Sequence, residues 1–270
     1  MPTAHVNGID VFYQEAGDPA ADPLLLIMGW GGDHTAWAFQ TPAFAARYRV
    51  VALDNRGAGQ SSAPDAPFTI ADMADDAVAL LDHLGIARAH VAGASMGGMI
   101  AQEVALRHPG RVRTLALHCT LARPDAYGSF LVNTLLTVKA RGDREEYARA
   151  VIPWILSRKT LALKADFVKL FLDRAVTYPH ATGLVGLTRQ AEAIGRHDTL
   201  ARLDQIRVPT LITVGAEDIL VPPRFSHEIH GRIPHARFVT IPEAGHLHFM
   251  EEFERFNAAS LEFLQPHAAA

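Results

Sequence analysis

The sequence predicts an α/β fold: a mostly parallel, doubly wound sheet with a helical cap inserted into it. Three observations lead there. Short continuous apolar runs recur along the chain and stop at glycine or polar residues, as strands buried on both faces do. Segments with helical spacing separate these runs, and strand–helix alternation is the signature of a parallel sheet with right-handed crossovers. The alternation then lapses between about Leu121 and Ala193, where helical spacing continues without a convincing strand.

Taken in order, residues Ala4 to Tyr13 alternate around Asn7-Gly8, a strong signal for a hairpin of two antiparallel strands. Pro23 to Met28 is the first continuous apolar run, stopped by Gly29-Trp30-Gly31-Gly32. A helical segment is expected around Thr35 to Ala46, then a strand from Arg49 to Leu53 that ends at Asp54-Asn55-Arg56-Gly57-Ala58-Gly59-Gln60-Ser61. Ile70 to Leu84 has helical spacing and stops before Gly85. His90 to Ala94 and Val112 to Leu117 are the next strands, separated by a helix that ends near His108-Pro109-Gly110. Strands return at Thr210–Gly215 and Arg237–Ile241, and a last helix is expected from His248 to Leu264. The division that follows is a core of residues 1–121 and 194–270 and a cap of residues 122–193, in which Phe130, Trp154, Phe167, Phe171 and Tyr178 cluster.

Composition narrows the function classes. The chain has 270 residues, 49% hydrophobic and 20% charged, which suits a globular enzyme with a large core. A net charge of -4 provides no basic field for nucleic acid. The one cysteine, Cys119, excludes an intrachain disulfide and fits a reducing compartment. There is no basic-then-apolar leader at the N-terminus and no run of membrane-spanning length, so the expectation is a cytoplasmic protein without a membrane partner. A homodimer is left open, since no residue argues for it.

The chemistry gathers on Gly93-Ala94-Ser95-Met96-Gly97. A serine on a sharp strand-to-helix turn needs small neighbours two positions either side, and Gly93 and Gly97 stand there. Its hydroxyl would sit at the C-terminal sheet edge and at a helix N-terminus, where developing negative charge is favoured. The stretch breaks the G-x-G of a dinucleotide fingerprint, and no Gly-Lys-Ser/Thr follows to make a phosphate loop.

A serine hydroxyl needs a base, and the base needs a partner that sets its tautomer. Asp218, in Gly215-Ala216-Glu217-Asp218, and His246, in Ala244-Gly245-His246, each follow an apolar strand and so come to the same sheet edge. Asp218 could instead cap the helix near Pro222, and Asp125, after the sixth strand, is the rival acid. His248 lies close enough to His246 to be mistaken for the base. His227-Glu228-Ile229-His230 has the wrong order for a zinc-protease helix and reads as solvated surface. Cys119 reads as a small buried hydrophobe, and Arg56 as a support for its own loop.

These motifs, in this order, resemble the α/β-hydrolase superfamily over almost the whole chain, and within it the 3-oxoadipate enol-lactonases and small carboxylesterases. The resemblance implies that Ser95 attacks an acyl carbonyl, His246 moves the proton and Asp218 orients the imidazole. It also implies an oxyanion hole from the backbone N–H groups of Met96 and Trp30, and no cofactor or metal. The family usually carries His-Gly where this chain has Met28-Gly29. Met28, Gly29, Phe130 and Trp154 are the expected pocket wall. The expected reaction is hydrolysis of a small-molecule carboxylic ester or lactone. Rival readings are perhydrolysis, thioester cleavage or carbon–carbon hydrolysis on the same triad; the Trp30 loop is similar to that of cofactor-free perhydrolases, although Gly31 replaces their usual proline. A ligand-binding receptor on a hydrolase fold is the rival of another class.

Overall fold

A computed structural model describes residues 2–267. Its eight strands form one sheet in the order β1-β2-β4-β3-β5-β6-β7-β8. The chain opens with β1 (Thr3–Val6) and β2 (Ile9–Ala16), an antiparallel hairpin whose turn residues Asn7 and Gly8 both have positive φ, 50° and 76°. That backbone twist matches the twist of the flanking strands, which is why Asn-Gly suits the position. The second strand runs beyond the expected Tyr13, because Tyr13 to Ala16 pair antiparallel with β4 (Arg49–Leu53). From there the sheet is parallel through β3 (Pro23–Ile27), β5 (Ala89–Ala94), β6 (Val112–His118), β7 (Thr210–Gly215) and β8 (Arg237–Ile241).

The parallel strands are apolar throughout because both faces are covered. Leu25, Ile27, Val51, Leu53, Val91, Leu115 and Leu117 face a layer that includes α2 (Ile70–His83), α3 (Met96–Arg107) and α9 (Pro223–Arg232). Leu24, Leu26, Val50, Ala52, Ala92 and Ala116 face Trp37, Phe44, Phe249, Phe256 and Phe263 on the other side. Helix α2 starts at a capping box: the Thr69 hydroxyl accepts from Asp72 N–H, and the Asp72 carboxylate accepts from Thr69 N–H.

Two expected helices are broken. Thr35 to Ala46 holds a 3₁₀ turn at His34–Trp37 and one turn of α-helix, α1 (Thr41–Ala45), restarted by Pro42, which is favoured in a first turn and disfavoured inside a helix. The final helix divides at Glu252, where φ -126° and ψ 48° are not helical. This separates α10 (His248–Glu251) from α11 (Phe253–Leu264), so that Glu251 turns toward the loop before His246 while Phe256, Phe263 and Leu264 reach the core.

Between β6 and β7 lie five α-helices, a 3₁₀ helix (Leu200–Gln205) and no strand; the α-helices are α4 (Ala126–Lys139), α5 (Arg144–Ile155), α6 (Arg158–Leu163), α7 (Ala165–Thr177) and α8 (Leu184–Gly195). Among the described residues no helix is long and apolar enough to cross a membrane.

The turn between β5 and α3 is as tight as backbone allows. Ser95 has φ 57° and ψ -121°. A Cβ on Gly93 would lie 2.0 Å from the Gly97 carbonyl oxygen, and one on Gly97 would lie 2.1 Å from that of Ile27 in the neighbouring strand. Gly97→Ala is therefore expected to push β3 from α3 and cost about 3 kcal/mol or more. Urea unfolding of the variant against the parent measures this, and a cost within about 0.5 kcal/mol of zero contradicts it.

Candidate active site

Five loops, those after β3, β5, β6, β7 and β8, leave the C-terminal edge of the sheet and meet around one cavity. Its volume is about 730 Å³, and its wall includes Met28, Gly29, Trp30, Ser95, Met96, Trp154 and His246. Ser95 sits on the turn after β5, with its N–H donating to the His118 carbonyl and its own carbonyl accepting from the Thr120 hydroxyl at 2.7 Å. His246 follows β8, and its Nδ1 is 2.8 Å from Asp218 Oδ2. Asp218 follows β7 and is buried; its Oδ1 accepts from the N–H groups of Leu220 and Val221 at 3.0 and 2.8 Å. With Asp218 accepting at Nδ1, the neutral ring carries its proton there and leaves Nε2 as the basic nitrogen.

The loop after β3 closes on Ser95. A Cβ on Gly29 would lie 2.8 Å from Ser95 Cβ, so only glycine permits the approach. Asn55 Nδ2 donates to the Met28 carbonyl at 2.7 Å, and helix α8 grips the rest of the loop. Gln190 accepts from Gly31 N–H at 2.9 Å and donates to the Arg56 carbonyl, Thr182 donates to the Gly31 carbonyl, and Trp30 Nε1 donates to the Leu187 carbonyl. The backbone N–H groups of Trp30 and Met96 have no protein acceptor among the described residues.

Phe130 does not belong to this wall. It is 76% exposed on α4, whose cavity-lining residues are Gly128, Ser129, Val132, Asn133, Leu135 and Lys139. Two positions from Gly128 on a helix of 3.6 residues per turn is the opposite face. Asp125 caps α4 through Gly128 N–H and pairs with Arg224. Arg56 makes two bonds to buried Asp76 and so holds its loop to α2. Asp33, His34 and Asp54 cluster within 4.8 Å and are already bonded to protein groups: Asp33 Oδ1 accepts from Thr35, Asp54 Oδ1 bonds to His34, and Asp54 Oδ2 accepts from Gln60 N–H. Burial pulls the His34 imidazole down, yet the hydrogen bond and charge of Asp54 outweigh it, so its pKa is raised overall.

Two supports were invisible in the sequence pattern. Glu251 is buried with Oε1 on Gly245 N–H and Oε2 on Ser157 N–H, both at 2.8 Å, tying the loop before His246 to the helices between β6 and β7. Behind it, His248 Nδ1 is 3.3 Å from the His246 carbonyl, and its Nε2 is 2.8 Å from the Thr213 hydroxyl, which is also 2.8 Å from His118 Nδ1. A carbonyl only accepts, so His248 Nδ1 donates, its Nε2 accepts the Thr213 proton, and Thr213 accepts from His118. The only local signals were a histidine two residues past His246 and an acid three residues beyond that.

A serine on the strand-to-helix turn after β5, an aspartate after β7 and a histidine after β8, all at one edge of such a sheet, are the arrangement of the α/β hydrolases. The chain belongs to that family: residues 22–253 match the model of the alpha/beta hydrolase fold. It is similar to a Caulobacter sp. (strain K31) protein named "Putative carbamate hydrolase RutD", 34% identical over 280 residues and covering all of both chains. Among solved structures, the enol-lactonase from Burkholderia xenovorans LB400 superposes with TM-score 0.89 at 30% identity, covering 98% of this chain and 100% of that one. A malate-bound thermophilic esterase from Thermogutta terrifontis gives 0.87 at 28% identity, covering 99% and 97%.

Two outcomes are expected. Glu251→Ala strands two buried N–H groups and should lower stability by about 2–3 kcal/mol, read as a fall in Tm. Burial lowers the pKa of His118 to about 3 and those of His90 and His197 to about 4, and lowers that of His248 as well. Each of these rings binds a proton in the unfolded chain below about pH 6.5 and resists it when folded, so stability falls as pH falls, by up to about 1.4 kcal/mol per unit per ring. Urea unfolding at pH 7 and 5 should show this, with a shallower fall in His118→Asn; equal slopes would contradict the assignment.

Proposed function

We propose that this hydrolase cleaves carboxylic esters or lactones through an acyl-enzyme formed on Ser95. One observation carries the reading: Ser95, held at positive φ, lines the same largely apolar cavity as His246, whose Nδ1 is fixed by buried Asp218. In this reading His246 Nε2 accepts the Ser95 proton as Oγ attacks the carbonyl carbon, and Asp218 supports the imidazolium that forms. The Trp30 and Met96 N–H groups receive the oxyanion. His246 then returns the proton to the leaving oxygen, and a water activated by the same nitrogen releases the acid.

The names of the similar proteins cite an enol-lactone, an ester and a carbamate, each with a carbonyl carbon open to attack. Residues 122–193 serve as the cap over the core of residues 1–121 and 194–270, with Leu135, Trp154 and Leu187 contributing its apolar underside. The single buried Cys119 suits a reducing, cytoplasmic setting.

Hydrolysis of p-nitrophenyl esters of increasing acyl length tests the reading. Many turnovers by the parent protein, lost in Ser95→Ala with the fold intact by circular dichroism, are expected. Asp218→Asn should lower kcat by about a thousandfold or more, because the ring then presents the wrong tautomer. Full activity in Ser95→Ala would sink the mechanism.

A further inference from the structure

The cavity changes character along its length. On α4 the residues lining it are Gly128, Ser129, Val132, Asn133, Leu135 and Lys139; Gly128, Val132, Leu135 and Lys139, spaced by four, three and four, form one stripe of the helix, and the exposed Ser129 and Asn133 border it. The stripe starts beyond Leu121 and Pro124, which line the cavity just after the Thr120 hydroxyl reaches Ser95. It ends, about 16 Å of helix farther on, at an ammonium group. Arg144, the first residue of α5, lines the cavity beside it.

Neither cation has a carboxylate partner among the described residues. Lys139 Nζ lies over the Tyr147 ring, 4.9 Å from its centroid, and Arg144 Nη2 donates to the Tyr178 carbonyl. The nearby acids are taken: Glu145 pairs with Arg149, Glu146 with Arg141, and Asp143 caps α5. The two acids on the cavity wall are also engaged, Asp125 by Arg224 and Asp33 by Thr35. A third cation, Arg174, stacks on Tyr178 and also faces the cavity. Burial, and then the Arg144 guanidinium, pull Lys139 below the ordinary lysine range, as expected for a positive pair without a counter-charge. In a chain of net charge -4, two half-buried cations left together at the end of an apolar wall are an unbalanced feature that an anion would relieve.

We propose that Lys139 and Arg144 form an anion subsite, and that the substrate is an ester or lactone carrying a carboxylate several carbons from the scissile carbonyl. This rests on the reading of Ser95 as the acyl-transfer nucleophile in the same cavity. The apolar stripe of α4 takes the carbon chain, and the two cations take its charged end by charge-assisted hydrogen bonds. Tyr147, pushed up to about 12 by burial, remains a neutral phenol beside them.

The test is binding to Ser95→Ala protein, which separates recognition from turnover. Calorimetric titration with the monomethyl esters of alkanedioic acids, over a series of chain lengths, is compared with titration by the corresponding dimethyl esters. The free carboxylate should bind about tenfold more tightly or better at the best length. That ratio should fall close to one when Lys139→Met and Arg144→Met are added. In a Lys139→Glu/Arg144→Met variant of the same protein, preference should pass to methyl esters ending in an ammonium, an outcome that a misfolded variant does not produce. A ratio near one before these substitutions, a ratio that survives them, or binding of neither ester overturns the subsite. Loss of the serine mechanism would instead appear as ester turnover by Ser95→Ala, whatever the titrations give.

Discussion

The site depends on one contact between backbones. At the turn after β5, Gly93 and Gly97 approach so closely that neither can carry a side chain, and Gly97 rests against the Ile27 carbonyl of the next strand. That contact forces Ser95 into the left-handed φ region, at a cost of order 1–3 kcal/mol that the surrounding sheet offsets. Gly98 against Thr120 and Gly29 against Ser95 extend the same constraint to the loops on either side. Because the strain is held by packed strands on both flanks, the serine hydroxyl has little freedom to leave the cavity.

Around this rigid turn, the remaining parts of the site are held by polar groups that have no role in the chemistry themselves. The loop that carries Trp30 is gripped by Asn55 from one side and by Gln190 and Thr182 from the other. Gly57 and Gly186 meet backbone to backbone, so α8 lies directly on the loop after β4. On the opposite side Glu251 fastens the loop before His246, and the chain from His248 through Thr213 to His118 backs it. All of these groups are buried, where an unsatisfied donor is costly, and so the network favours a single loop geometry.

Much of this was legible in the chain. The β3 and β4 runs and the Asn7-Gly8 turn identify themselves through local sterics and solvent exclusion, which act within a few residues. Ser95, Asp218 and His246 could be found because each follows an apolar strand in a short turn, and a parallel sheet brings such turns to one edge. Phe130 was misplaced because an aromatic residue on a helix does not declare which face meets the cavity; α4 turns it outward and presents Val132 and Leu135 instead. The break at Glu252 was equally hidden: it accompanies a Glu251 carboxylate that bonds to Ser157, a residue distant in the chain, which no local pattern declares.

By itself, then, the sequence determined the strand–helix alternation, the glycine-flanked serine and the order Ser, Asp, His, because these follow from short-range backbone preferences and from periodic burial. Tertiary structure alone decided the Gln190 clamp, the Glu251 tie and the meeting of Lys139 with Arg144 on one cavity wall. Those arrangements join residues whose separation in the chain is bridged only when the helices between β6 and β7 pack over the sheet edge, and no local pattern encodes that packing.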